Sequence, residues 1–193
     1  MMIVMRYEKG RKAITRQKIL ETAATEFRKR GFEGVGVADL MARAGLTHGG
    51  FYSHFESKEE LVQESIQFSF GQNDLSRFGS EEKGWEKMVR HYLRPDHRDH
   101  PETGCPIASL VGEAPRRAAG TRARFSARMD AMIATFEAAL PREIAGEARR
   151  AAALAVTAVV LGALQMARAA ANPELSNQIL AAGIKAALDL ARP

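Results

Sequence analysis

A chain of 193 residues, 46% apolar and 26% charged, has an ordinary globular composition and can bury one large or two small cores. The longest uncharged apolar stretch, Ala151–Leu164, is too short to cross a bilayer of roughly 30 Å, and M-M-I-V-M-R at the start offers neither a long apolar run nor a cleavage site, so neither a membrane span nor a secretory leader is expected. A single cysteine cannot close an internal disulfide, which fits a reducing cytoplasm. The net charge is +5, and residues 1–18 carry all of it: Arg6, Lys9, Arg11, Lys12, Arg16 and Lys18 stand against Glu8 alone. A basic segment of this kind either neutralises phosphates or is a solvated terminus.

In chain order, residues 1–14 read as a flexible basic arm, and the first helix is expected over Thr15–Lys29. Ile19, Leu20, Ala23, Ala24 and Phe27 repeat there at the spacing of one buried face, and Gly31 ends it. A second helix spans Val37–Ala44, with Val37, Leu40, Met41 and Ala44 inward; Gly45 then turns the chain and Leu46 anchors the far side. A third, short helix runs from Thr47 or His48 to His54. Two helices joined by a tight glycine-bearing turn are the pattern of a DNA-reading helix-turn-helix. Ser57-Lys58-Glu59-Glu60 forms a capping box that starts a fourth helix, expected to reach about Ser76.

A Gly79-Ser80 break precedes a fifth helix over Glu81–Leu93, and Arg94–Pro106 reads as a polar loop. Pro106 opens a sixth helix, where its missing N–H costs nothing. Pro115 and Gly120 break the chain again before a seventh over Thr121–Leu140. An alanine-rich eighth covers Glu143–Ala171, and Asn172-Pro173 caps a ninth that reaches Ala191. No segment alternates as a strand would. The fold expected is all-α: a three-helix helix-turn-helix domain over 15–56, then a larger helical domain over 57–193.

Three separated blocks carry a family resemblance: R-x-x-I-L-x-x-A-x-x-x-F-x-x-x-G-F at Arg16–Phe32, D-L-M-A-R-A-G-L-T at Asp39–Thr47, and F-Y-x-H-F-x-S-K-E at Phe51–Glu59. In that order and spacing they resemble the DNA-binding domain of the TetR/AcrR repressors. Val35 and Gly36 stand where that family has Thr or Ser before the second helix, and His48 stands where it has Lys. The resemblance implies phosphate contacts at Tyr52, His54 and Lys58. A phenol, an imidazole and an ammonium beside the groove can donate to phosphate oxygens and fix register. Arg16, at the end of the basic segment, joins them. Gly36 leaves the N–H groups of Val37 and Ala38 open to a phosphate. Thr47, His48, Gly49 and Ser53 point toward base edges, and Gly49-Gly50, poor helix formers, suggest close approach to DNA.

The middle helices hold a methionine and aromatic stripe: Phe68, Trp85, Met88, Tyr92, Leu110, Phe125, Met129, Met132 and Phe136. Such a stripe is core by default. The resemblance adds an apolar effector pocket among these residues and Cys105, since methionine adapts to varied ligands. Cys105, before a helix, is either a small buried residue or a reactive thiol of a redox-responsive repressor. His91, Asp96, His97, Asp99 and His100 cluster in sequence, but without a defined ligand spacing they read as a solvated loop, and no metal or other cofactor is expected. No catalytic constellation is visible, so the chain is not read as an enzyme. Helix eight is apolar over most of its circumference. Ala152, Val156, Val159, Val160, Ala163 and Ala167, with Leu180 and Ile184 of the last helix, suit a two-fold interface or an internal core. Together these features describe a ligand-responsive homodimeric repressor that binds double-stranded operator DNA. The rival is a helical sensor or enzyme that does not act on DNA.

Overall fold

The computed structural model describes residues 2–70, 75, 78 and 84–192. Among these there is no strand, and nine α-helices follow one another: α1 Met2–Arg30, α2 Val37–Arg43, α3 Lys58–Phe70, α4 Gly84–Tyr92, α5 Pro95–Asp99, α6 Pro106–Leu110, α7 Ala119–Ala139, α8 Gly146–Ala169 and α9 Pro173–Leu190. Short 3-10 segments lie at His48–Ser53, Pro101–Thr103 and Ala114–Arg116. The expected helix end at Ser76, the Gly79-Ser80 break and the helix start at Glu81 lie outside the described residues.

Several boundaries differ from the sequence reading for identifiable reasons. Helix α1 begins at Met2 rather than Thr15, so the stretch expected to be a flexible arm is helical; it holds no proline, and its single glycine, Gly10, faces open space. Gly120 lies in the first turn of α7 instead of breaking the chain, while Pro115 sits in a 3-10 turn. The Arg94–Pro106 stretch holds α5 and a 3-10 turn, each with proline in its first turn. Other signals are realised as read. Asn172 Oδ1 accepts from the N–H groups of Glu174 (2.8 Å) and Leu175 (3.3 Å) at the start of α9. Ser57 Oγ accepts from Glu60 N–H (3.1 Å) at the start of α3, although the Glu60 carboxylate returns to the N–H of Glu56 rather than of Ser57.

The chain buries two cores. The first gathers Ile19, Ala23, Phe27 and Phe32 of α1 and its exit, Leu40 and Met41 of α2, Phe51 and Phe55, and Leu61, Val62 and Ile66 of α3, together with Leu110, Ala114 and Phe125 from much later in the chain. The second joins α4, α6, α7, α8 and α9 around Trp85, Met88, Tyr92, Met132, Phe136, Val156, Val160 and Leu164. Helix α7 enters both, with Phe125 in the first and Phe136 in the second, so it is a rigid rod shared between the reading domain and the rest.

Polar contacts reinforce the seam. Gly31 ends α1 at φ 77°, and a Cβ there would collide with the Glu113 carboxylate. That carboxylate accepts the Phe32 N–H at 3.0 Å. The Arg117 guanidinium lies over the Phe32 ring, 5.1 Å from its centroid, and bridges Glu33 and Glu59, while Thr121 Oγ1 donates to Glu59. On α1, Arg28 Nε donates to the Glu102 carbonyl at 2.6 Å.

His97, read from sequence as part of a solvated loop, is buried. Its Nδ1 meets the Tyr92 carbonyl at 2.6 Å and its Nε2 accepts the Cys105 N–H at 2.9 Å. The pair of bonds defines a neutral ring protonated at Nδ1. Its sequence neighbours do not converge with it: Asp99 pairs with Arg98, and His100 lies beside Asp96 and Glu102. Helix α8 is, by length and composition alone, long and apolar enough to cross a bilayer, more so than its uncharged stretch suggested; its inner face is spent on the second core.

Two outcomes are expected. Phe125→Ala opens a void in the first core and should lower stability by about 3–5 kcal/mol in urea melts, although the residue lies far from the reading segment in sequence. Burial lowers the His97 pKa from 6.5 to about 4. The unfolded chain therefore binds more protons than the folded one between these values. Stability should fall as pH drops through that window, by up to about 3 kcal/mol. His97→Gln should flatten the dependence, and parallel pH curves for both proteins would exclude this assignment.

Candidate nucleic-acid interface

The reading segment is held by a turn that backbone chemistry dictates. Helix α2 ends with Ala44, and Gly45 takes a left-handed conformation at φ 66°. Gly45 N–H then bonds the Ala42 carbonyl and Leu46 N–H the Met41 carbonyl, both at 2.9 Å. This is a Schellman closure, which satisfies the last carbonyls of α2 and reverses the chain within two residues. Beyond it, His48–Ser53 form a 3-10 segment instead of the α-helix expected. Gly49 and Gly50 weaken the α-form, and Ser53 Oγ donates back to the Gly50 carbonyl at 2.7 Å. Phe51 and Phe55 stack at 5.7 Å and anchor the segment in the first core.

With those rings inward, the opposite side is exposed. Thr47, His48, Gly49, Tyr52 and Ser53 form one continuous outer face, and Tyr52 is 65% exposed despite its aromatic ring. His48 stands edge-on to Tyr52 at 6.3 Å. A side chain at Gly36 or Gly49 would meet nothing within 4 Å, so packing does not require glycine at either position. The space in front of both is available to a backbone phosphate or a base edge. Gly36 caps α2 without any side-chain hydrogen bond, and Val37 follows half-buried.

The remaining candidates divide. Lys58 is half-buried at the first residue of α3. His54 is half-buried, with its Nδ1 buried and unpartnered among the described residues. Burial, followed by the charges of Lys12 and Arg16, lowers its pKa. Arg16, partly exposed, is engaged within the chain. Its Nε donates to the His54 carbonyl at 3.3 Å, its Nη2 reaches Glu64 at 2.5 Å, and its guanidinium lies 4.5 Å from the Phe55 ring centroid. It ties α1 to the reading segment and to α3. Lys18 went unnoticed as a site residue in the sequence; its Nζ lies 3.6 Å from where a Gly45 side chain would begin. Lys12 likewise faces His54 closely enough to shift it. Lys12 is placed there by the helical start of α1, whereas Lys18 lies in the part already expected to be helical.

The stripe assigned to an effector also divides. Trp85, Met88, Tyr92, Cys105, Met132 and Phe136 share the second core, and Met129 packs against it. Leu110 and Phe125 belong to the reading-domain core, with Phe68 packed on it, so these three do not join the candidate pocket. Cys105 is buried ahead of α6, whose five residues make too short a helix to supply much dipole to the thiol. Of the residues assigned to dimer contact, Val156, Val160, Ala163, Ala167 and Leu180 are buried within the chain and Ala152, Val159 and Ile184 partly so. The outward apolar side chains of this helix pair are Leu154 (46% exposed), Met166 (61%), Leu175 and Leu190.

This architecture mounts a helix-turn-helix segment with an exposed polar face on a helical body. Residues 19–65 match the family of bacterial regulatory proteins, tetR family. The HTH-type transcriptional repressor KstR2 of Mycolicibacterium smegmatis is 40% identical over 55 residues, 28% of this chain and 27% of that protein. The match thus spans about a quarter of that relative's length. The TetR-family transcriptional regulator from Cytophaga hutchinsonii shares the fold with a TM-score of 0.73 at 20% identity, covering 95% of this chain and 98% of the other. The structure of AibR in complex with isovaleryl coenzyme A and operator DNA superposes with a TM-score of 0.63 at 22% identity, over 88% and 96% of the two chains.

Tyr52→Phe and Lys58→Ala should each weaken binding to specific and random duplexes alike, roughly three- to tenfold, because phosphates carry no sequence. Thr47→Ala and His48→Ala should instead alter which sites are preferred. Competition binding against a randomised duplex pool separates the two. A Tyr52→Phe protein that changed preference alone would reverse the assignment of faces.

Proposed function

We propose that the chain is a cytoplasmic transcriptional repressor that binds a near-palindromic operator as a homodimer. The exposed face of Thr47, His48, Gly49, Tyr52 and Ser53, mounted on the turn at Gly45, carries this reading. Short side chains and glycine allow backbone and base edges to approach, while Tyr52, His54 and Lys58 fix register on the phosphates. Each chain offers one such face, so recognising a palindrome takes two, about 34–36 Å apart or a multiple of that.

The outer face of α8 supports the dimer. Ala151, Leu154, Ala155, Ala158, Leu161, Gly162 and Met166 form a stripe without a charge, and Leu175 and Leu190 of α9 lie outward beside it. A stripe of this kind in water calls for a partner, and a second copy supplies the matching one by two-fold symmetry.

We further infer that a small, mostly apolar molecule releases the repressor by binding beside Trp85, Met88, Tyr92, Met132 and Phe136. A ligand that shifts Met132 or Phe136 moves α7, and α7 carries Phe125 into the reading-domain core. Such coupling is typically worth about 1–3 kcal/mol and is reciprocal.

The test is fluorescence anisotropy with DNA from upstream of the chain's own gene. Sequence-selective, salt-sensitive binding is expected, and equal affinity for any duplex would refute the repressor reading. The double variant Leu154→Glu with Met166→Glu should sediment as a monomer and bind operator at least tenfold more weakly, with an unchanged circular dichroism spectrum because both side chains are exposed. A dimer that survived both charges would place the interface elsewhere.

A further inference from the structure

Away from the reading face, a groove of about 410 Å³ opens between two parts of the chain. One wall is Arg98, Asp99 and Pro101, at the end of α5 and the start of the following turn. The other is the corner where α8 meets α9, with Ala167, Arg168, Ala170, Ala171, Pro173 and Ser176. The volume falls in the range of small-molecule sites.

The two arginines are not equivalent. Arg98 is compensated: its Nε and Nη2 reach the two Asp99 oxygens at 2.7 and 3.0 Å, and its Nη1 reaches Asn177 and Ser176. Arg168 is held by neutral oxygens, the carbonyls of Arg98 (3.2 Å) and His97 (2.7 Å) and the Ser109 hydroxyl (3.2 Å). Arg168 is half-buried; burial is the largest influence on its guanidinium and lowers its pKa, against smaller opposing influences of Tyr92, Cys105 and the Glu102 carboxylate. A half-buried cation whose hydrogen-bond acceptors are all neutral is only partly compensated by the more distant Glu102 carboxylate, and an anion in the groove completes the compensation. The N–H groups of Glu174 and Leu175 are already taken by Asn172, so the start of α9 does not provide the anion's partner. With Asp99 engaged by Arg98, the lining keeps one net positive charge, set beside alanine and proline carbon.

We propose that this groove binds a small organic anion, with the anionic group at Arg168 and a short apolar body along Ala167, Ala170, Ala171, Pro101 and Pro173. The site lies outside the apolar core proposed for the effector. It has its own route to the reading domain. Pro101 precedes Glu102, whose carbonyl accepts the Arg28 guanidinium of α1, so a ligand against Pro101 bears on that joint.

The experiment is calorimetric titration of the full chain, without DNA, with hexanoate, hexanamide and inorganic phosphate. Reading binding directly keeps the result independent of whether the chain represses transcription. Hexanoate is expected to bind at least tenfold more tightly than hexanamide, its neutral counterpart. Hexanoate tighter than phosphate identifies a carboxylate with an apolar body; phosphate as tight or tighter identifies a phosphate-bearing ligand. Arg168 also braces the backbone, so its replacement could perturb folding. Ala171→Glu avoids this: Ala171 is exposed, and the new carboxylate competes for the groove. The variant should keep its melting temperature and lose at least tenfold in affinity for the anion that binds. Equal binding of hexanoate and hexanamide, no binding of either anion at millimolar concentration, or affinity unchanged by Ala171→Glu would each overturn the proposal.

Discussion

The burial of Phe125, Leu110 and Ala114 among Phe27, Phe32 and Leu61 is the constraint on which the rest of the molecule depends. The helices that carry the reading face share their core with Leu110, Ala114 and Phe125, and a small core gains from such added burial. The chain completes it with side chains from α6 and α7. Glu113 and Arg117 then fix the angle at which these elements meet, because the first satisfies the Phe32 N–H and the second spans Glu33 and Glu59. Around a buried seam these contacts, made by a largely buried Arg117, select one orientation over its neighbours.

From that seam, the reading segment follows as the least regular part of a rigid frame. The Schellman turn, the Phe51–Phe55 stack and the Arg16 brace hold a stretch whose two glycines resist regular helix. The polar face is thus set by its surroundings rather than by its own propensity. Arg16 also shows how a residue placed correctly near a site can serve it indirectly, since its guanidinium is used on His54, Glu64 and Phe55.

Most of the helices could be read from the sequence because their signals are local: periodic apolar residues in α1, proline at the first turn of α6, Asn172 before α9, glycine after α1. The inner members of the DNA-facing domain, Ile19 to Phe55, were legible for the same reason. What could not be read was anything that depends on partners distant in sequence. Phe125 and Met132 look alike in a helical stripe, yet one faces the reading-domain core and the other faces the second core. Val160 and Leu154 both lie on an apolar helix, and only packing against α9 decides which turns inward. His97 sits in a polar run, and its burial rests on the Tyr92 carbonyl and the Cys105 N–H, neither of which is visible in composition. The helical start of α1 was hidden because basic residues read equally well as a solvated tail.

The shared core has a consequence for how such a chain can change over time. A reading head that closed its own core could be cut at the start of α3 and joined to another sensor. Here that cut would leave Phe27, Phe32 and Leu61 facing water where Leu110, Ala114 and Phe125 had been. Any exchange of heads between relatives must therefore carry a matching α6–α7 segment with it, or repack both sides together. The smallest unit that can be moved intact is then larger than the helix-turn-helix itself.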